Sequence, residues 1–434
     1  MEQSTRLDRL VIEGCDSLIS VAEGRLPSSL QTLQISNCAK LLCLFDDRKA
    51  RHTNASHLKY LYLSQCPALK SLSSRDQLSD ALQHLEIHNC SHLTTIGQLP
   101  ETLKRLDIKR LDSFSSAAQL PASLEHLSIH ECPITALSSS GHLPASLQNL
   151  NIVSCSKLTN LSSTGHLPAS LQHLNIVSCL KLTSLSSGQL LPAALKYLNI
   201  SSCGISSIAD SLQHLSNLQQ ININNCPNLV SFPQGGLPRT SPTVFSISYC
   251  LKLNVLPSNM HTLNSLQEMC IKDLPSLSSF PQQGLPINLT SITGFKIQDQ
   301  VMQPLMQQLH KLTSLRNLNI DGCQNAVCFP QEGMEMMLPS SLIRLTLANF
   351  SKLRRLSPEG FRNLASLEYL SITSCPKLSS FLEDDLPSSL LELYIFNCSK
   401  LTDQCGNEGK YWSNISNIPC VKIDGKYIHE PKPF

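Results

Sequence analysis

Between Leu147 and Leu161 the apolar residues fall at Leu147, Leu150, Ile152, Cys155, Leu158 and Leu161, a spacing of L-x-x-L-x-I-x-x-C-x-x-L-x-x-L. The Leu150-x-Ile152 alternation is the period of two that sends one set of side chains inward and the other outward, as a strand requires. The next unit, Leu171 to Leu185, repeats the spacing, and 18 of the 24 residues of Ala145–Pro168 recur in Ala169–Pro192. The same template runs from Ile12 to Ile423, placing 18 inward Ile or Leu positions at a mean spacing of about 24 residues, with Ile297 taken as one of them. A lone strand of this kind cannot bury its apolar face, whereas parallel stacking of neighbours buries a continuous aliphatic column.

This period and pattern match the leucine-rich repeat. The expected fold is an α/β-type leucine-rich-repeat solenoid, a horseshoe with a curved parallel β-sheet on its concave face. Its convex face should be mostly loops and turns with few short helices. Ten units approach their strand through Leu-Pro, as at Pro27, Pro121 and Pro168. Proline fixes φ, lacks a donor and turns the residue before it away from helical geometry. Returns such as Ser138–Pro144 (SSSGHLP) are therefore extended or single-turn, and Gln300–Lys311 (QVMQPLMQQLHK) is a local helix-permissive exception. The 28-residue interval from Ile35 to Leu63 carries a charged insert, Asp46–His52. Nothing marks a domain boundary, so residues 1–434 read as a single solenoid of about 18 units, with 402–434 as terminal repeat and tail.

The chain has 18 cysteines, and 13 occupy one template position, three residues after the inward Ile, from Cys15 and Cys38 to Cys375 and Cys398. Leu111, Leu274 and Phe350 fill the same slot elsewhere, so it is apolar and inward. Cysteine there acts as a small hydrophobe with a weak S–H donor. Reduced thiols and a cytoplasmic location, extending to the nucleus, are expected because Met1–Leu10 has no apolar leader core. No run approaches the ~18 apolar residues of a membrane-spanning helix. With 34 Lys+Arg against 32 Asp+Glu the chain carries a formal +2, too weak a field for a general nucleic-acid binder. Specificity must then come from local patches such as Arg105–Arg110.

Outward strand positions supply the candidate partner-binding face. They include Tyr60, Tyr62, His84, Glu86, His88, Arg105, Asp107, Lys109, His126, His130, His173 and Tyr197. Towards the C-terminus they include Tyr369, Tyr394 and Phe396, and Arg110 and Tyr249 flank the same strands. Tyr and Arg are the residue types that most often anchor interfaces. The pairs His84/His88 and His126/His130 lie about 10 Å apart across an intervening strand, too far for one zinc with ~2 Å ligand bonds. No C-x-x-C pair, phosphate loop, nucleophile elbow, H-E-x-x-H or G-x-G-x-x-G is present, so no metal, cofactor or catalytic group is expected.

The L-x-x-L-x-I-x-x-C-x-x-L template with its Leu-Pro-x-x-Leu approach, as in Leu167–Cys179, resembles the repeat region of plant intracellular nucleotide-binding leucine-rich-repeat immune receptors. The tail, Trp412-Ser-Asn-Ile-Ser-Asn-Ile-Pro419-Cys-Val-Lys-Ile423-Asp-Gly425, resembles the closing segment of that family's terminal repeat. The resemblance implies recognition of a protein partner, either a pathogen effector or a guarded host protein. It also implies restraint of a nucleotide-binding switch domain that this chain lacks, so the chain reads as part of a larger receptor, a truncated product or a repeat-only relative. A substrate-recruiting leucine-rich-repeat adaptor of a ubiquitin ligase is the alternative, disfavoured because that class carries a convex helix in each unit. Thiol titration of the denatured, unreduced protein should return mostly free thiols. A count near zero would overturn the cytoplasmic reading.

Overall fold

The computed structural model describes residues 6–22, 26–45, 57–72, 78–93, 96–112, 120–137, 142–162, 166–185, 190–239, 242–281, 283–296, 305–323, 325–330, 338–380, 386–406 and 409–429. The insert Asp46–His52 and position Ile297 lie outside them. The chain divides into two compact units, residues Met1–Leu218 and Gln219–Phe434.

In the first unit, strands Arg9–Glu13, Thr32–Ser36, Tyr60–Ser64, His84–His88, Arg105–Lys109, His126–His130, Asn149–Val153, His173–Val177 and Tyr197–Ser201 pair in parallel without a slip in register. The inward Ile12, Ile35, Leu63, Ile87, Ile108, Ile129, Ile152, Ile176 and Ile200 are thus direct partners in one column. Those from Ile35 onward are at most 1% exposed. Leu10 and Ile12 are only half-buried, because among the described residues their strand has a neighbour on one side alone.

The second unit repeats the plan from Gln220–Asn224 to Cys420–Ile423, with one irregularity. Strand Ser291–Lys296 carries a bulge, and Gly294 there has φ +73°, which glycine adopts at no steric penalty. The position paired with Ile320 is consequently Phe295, not Ile297. A template of fixed spacing misses such an extra residue. At the C-terminal end Asp424 and Gly425, both at positive φ, turn the chain so that Lys426–Tyr427 pairs antiparallel with Cys420–Ile423. Asp-Gly is the favoured composition for such a tight hairpin turn.

The return segments are short. Among the described residues they contain 3₁₀ turns at Asp210–His214 and Met260–Thr262 and single helical turns at Pro358–Phe361, Ser399–Thr402 and Trp412–Ile415. Residues 305–309 of the Met-rich return are helical as well. None is long and apolar enough to cross a membrane. Two separate short parallel pairings, Ser20–Ala22 with Cys43–Phe45 in the first unit and Cys328–Phe329 with Arg355–Leu356 in the second, were not announced by the pattern.

Three polar devices recur from unit to unit. First, the residue two after the inward Ile sits at left-handed φ, as at Asn89 (+55°), Ser154 (+56°) and Ser178 (+56°). Its N–H extends the ladder by donating to the last strand carbonyl of the next unit, as from Asn89 to Lys109 at 2.8 Å. Second, the proline carbonyl closes the turn before the strand, as in Leu147 N–H to Pro144 at 3.1 Å. The serine two residues on donates to the preceding unit, Ser146 to Leu124 and Ser170 to Leu147, both at 2.7 Å.

Third, the slot cysteines donate to the strand carbonyl two residues back, Cys66 to Ser64 at 3.4 Å and Cys132 to His130 at 3.2 Å. Ser64 O also receives the Asn37 N–H, so the thiol supplies a second donor that Leu111 or Phe350 cannot. The slot is buried at every cysteine except Cys15, which is exposed just beyond the half-paired first strand. Burial pushes the Cys132 thiol to about 11 and Cys155 to about 12, keeping them protonated and unreactive at neutral pH.

Replacing the fully buried Ile152 by Ala should destabilise the chain by about 2–5 kcal/mol, and Ile12→Ala by much less. Urea unfolding followed by circular dichroism measures both. Equal losses would show that the column does not carry the stability.

Candidate functional site

Outward side chains on the in-register strands form three rows in the first unit. The first row runs Tyr60, His84, Arg105, His126, Asn149, His173, Tyr197, and the middle row Tyr62, Glu86, Asp107, Ser128, Asn151, Asn175, Asn199. The third carries His88, Lys109 and His130. Because neighbouring strands sit about 4.8 Å apart, side chains in one row touch.

Tyr60 and His84 stack with ring centroids 4.6 Å apart, and His173 and Tyr197 do the same at 4.6 Å. Tyr62 meets His88 edge to face at 5.5 Å. Such pairs are worth roughly 0.5–1.5 kcal/mol beyond their buried area, and they fix ring orientation on an open surface. Tyr60 is 43% exposed and Tyr197 37%, so each ring offers its outer face to solvent.

A polar network occupies the centre. Asp107 lies 3.5 Å from His88 Nε2 and 4.0 Å from Arg105. Burial pushes its carboxyl up, but the His88 imidazole, with His130 and Arg105, outweighs it and leaves the group below the usual carboxylate range. The His130 ring sits 2.8 Å from Ser128 Oγ and 2.9 Å from Asn151 Nδ2. From Asn151 an amide ladder runs on, Asn175 donating to Asn151 and Asn199 to Asn175, both at 2.5 Å. Identical amides recurring at the middle position were visible in the sequence, but only the register shows them bonded to one another.

Burial lowers the His84, His130 and His173 imidazoles below the usual value of 6.5, with Arg105 adding to the effect at His84 and Lys196 at His173. At His130 the nearby Asp107 opposes it. Arg110 and Tyr249 occupy left-handed turn positions (φ +52° and +54°) rather than strand rows. Arg110 there bonds Glu131 at 2.6 Å, both on the surface.

The remaining predicted residues lie in the second unit. Arg344 lies 4.0 Å over the Tyr369 ring, which packs against Tyr394 at 5.3 Å. Burial and the adjacent Glu392 push the Tyr394 phenol up. Phe396, at the strand end, is 54% exposed. This patch was legible in the sequence except for Arg344, which only the register places against Tyr369. No group of three or more His, Cys, Asp or Glu able to hold a metal ion occurs among the described residues.

Histidines whose folded pKa lies below 6.5 stay neutral in the fold while the unfolded chain binds protons, so stability should fall as pH drops below about 6.5. Proton NMR titration should place the midpoints of His84, His130 and His173 below that value. Midpoints at or above it would contradict the packing described.

Known proteins place this architecture. Residues 1–102 match the family described as plant disease resistance protein RPS2-like, leucine-rich repeats. An Arabidopsis thaliana protein described as a candidate disease resistance protein is 32% identical over 195 residues, which is 45% of this chain and 13% of that protein. The present chain therefore corresponds to a small part of that relative's length. Among solved structures, YopM from Yersinia enterocolitica superposes with a TM-score of 0.51 at 22% identity, over 90% of this chain and 78% of YopM, a likeness of fold. The chain is built of leucine-rich repeats, and over residues 1–102 it is similar to those of plant disease resistance proteins.

Proposed function

We propose that the outward strand face is a protein-recognition surface in plant innate immunity. It senses a pathogen effector, directly or through a guarded host protein, and the repeats restrain a nucleotide-binding switch domain of a parent receptor. The carrying observation is the row of orientated, solvent-facing rings and charged groups in the first unit, from Tyr60 to Tyr197. Aromatic side chains locked by their neighbours lose little further entropy on binding, which is what makes rigid Tyr an effective anchor. A nearly neutral chain has no bulk field to attract partners, so these local groups would set specificity. The reading is one of binding, with no step of catalysis and no cofactor. Tyr369, Tyr394 and Phe396 form a second candidate patch in the other unit.

Affinity capture from pathogen-challenged and unchallenged plant tissue tests this directly. Tyr62→Ala and Arg105→Glu should each weaken capture of a specific protein about tenfold or more while leaving circular dichroism unchanged. Unaltered capture by both variants would remove the first-unit face from the interface.

A further inference from the structure

The register that builds the middle row also leaves one carboxylate without a partner among the described residues. Glu86 and Asp107 are direct partners on adjacent strands, and like charges so placed repel. Asp107 is answered from within the protein by His88 and Arg105. Glu86 is not: among the described residues its half-buried carboxylate takes no hydrogen bond and no ion pair. It opens instead on a hollow of about 370 Å³ walled by Tyr60, Tyr62 and His84, with Arg9 on the far side. Arg9 is three strands away, about 14 Å at the usual strand spacing, and its guanidinium is held by Gln34 Oε1 at 2.9 Å. The nearer Arg105 is the partner of Asp107.

We propose that this hollow receives an arginine side chain of the protein partner. The inference rests on the recognition-face reading above and names the chemistry of one contact within it. An unpaired carboxylate partly withdrawn from water forms strong charge-assisted hydrogen bonds to a cation. The exposed face of Tyr60, fixed by its stack on His84, and the ring of Tyr62 offer electron-rich surfaces to the same cation. A planar guanidinium satisfies both demands at once, stacking on a ring while directing paired N–H groups at the carboxylate. Burial and Arg105 hold His84 below its usual range, so at neutral pH the imidazole beside Glu86 is uncharged.

The probe is N-acetyl-arginine-amide, titrated into protein carrying ring-¹³C tyrosine, with Tyr60→Phe and Tyr62→Phe used to assign the two signals. The neutral isostere N-acetyl-citrulline-amide is the comparison. Arginine should shift both tyrosine signals and citrulline should need about ten times the concentration, the ratio expected for one lost charge-assisted contact. Glu86→Gln should abolish that difference, and its thermal midpoint should not fall, because the substitution also removes the repulsion.

Equal response to the two probes in the unaltered chain would overturn the proposal without recourse to any variant. A preference for arginine that survives in Glu86→Gln would overturn it as well. Either result, alongside capture that is still sensitive to Tyr62→Ala and Arg105→Glu, would discard the arginine hollow and keep the recognition face. Capture insensitive to both substitutions would discard the face itself.

Discussion

Everything in this chain depends on one constraint: successive strands pair in parallel with each inward Leu and Ile opposite its counterpart one unit away. A slip by one residue would turn the whole apolar set outward, so the buried column and the register enforce each other. The bulge at Ser291–Lys296 shows how local the tolerance is. One glycine at positive φ absorbs the extra residue, and the pairing resumes at Phe295 and Ile320. Stability on this plan accrues between neighbours, which is why Leu10 and Ile12, on a strand paired on one side alone among the described residues, are only half-buried.

Stacking apolar columns leaves a polar problem at both ends of every strand, and the repeat solves it with side chains that look unremarkable in sequence. The Ser of the Leu-Pro-x-Ser-Leu turn caps a carbonyl of the preceding unit. The left-handed residue after the strand carries the backbone ladder one bond further. The slot cysteine adds an S–H donor to that same carbonyl while filling apolar space. An orphaned buried carbonyl would cost about 1–3 kcal/mol, and repeating a small device at each unit avoids the penalty along the whole array. The slot cysteines are thus accounted for by packing and a weak hydrogen bond.

The outward face obeys the same geometry but without the same constraint, since solvent accepts almost any residue there. Its organisation therefore depends on which residues fall opposite one another. Tyr60 with His84 and His173 with Tyr197 become stacked pairs, and three asparagines become a bonded ladder. Glu86 becomes a carboxylate beside a carboxylate. Face residues such as His84, Asp107 and Tyr394 were legible from the period of two alone. Their partners were not, because pairing involves residues some two dozen positions apart and turns on exact return lengths. Arg110 and Tyr249, adjacent to the strands in sequence, are placed in the turns by backbone conformation that periodicity does not encode.

The sequence by itself determined the unit, its inward column, its cysteine slot and the strand positions that face outward, because burial of an aliphatic alternation leaves one arrangement for each repeat. Only the tertiary structure decided the displaced pairing at Phe295, the polar links between units and the neighbours of each exposed side chain. Those features follow from distances between chain segments remote in sequence, where a single residue more or less in a return changes which groups meet.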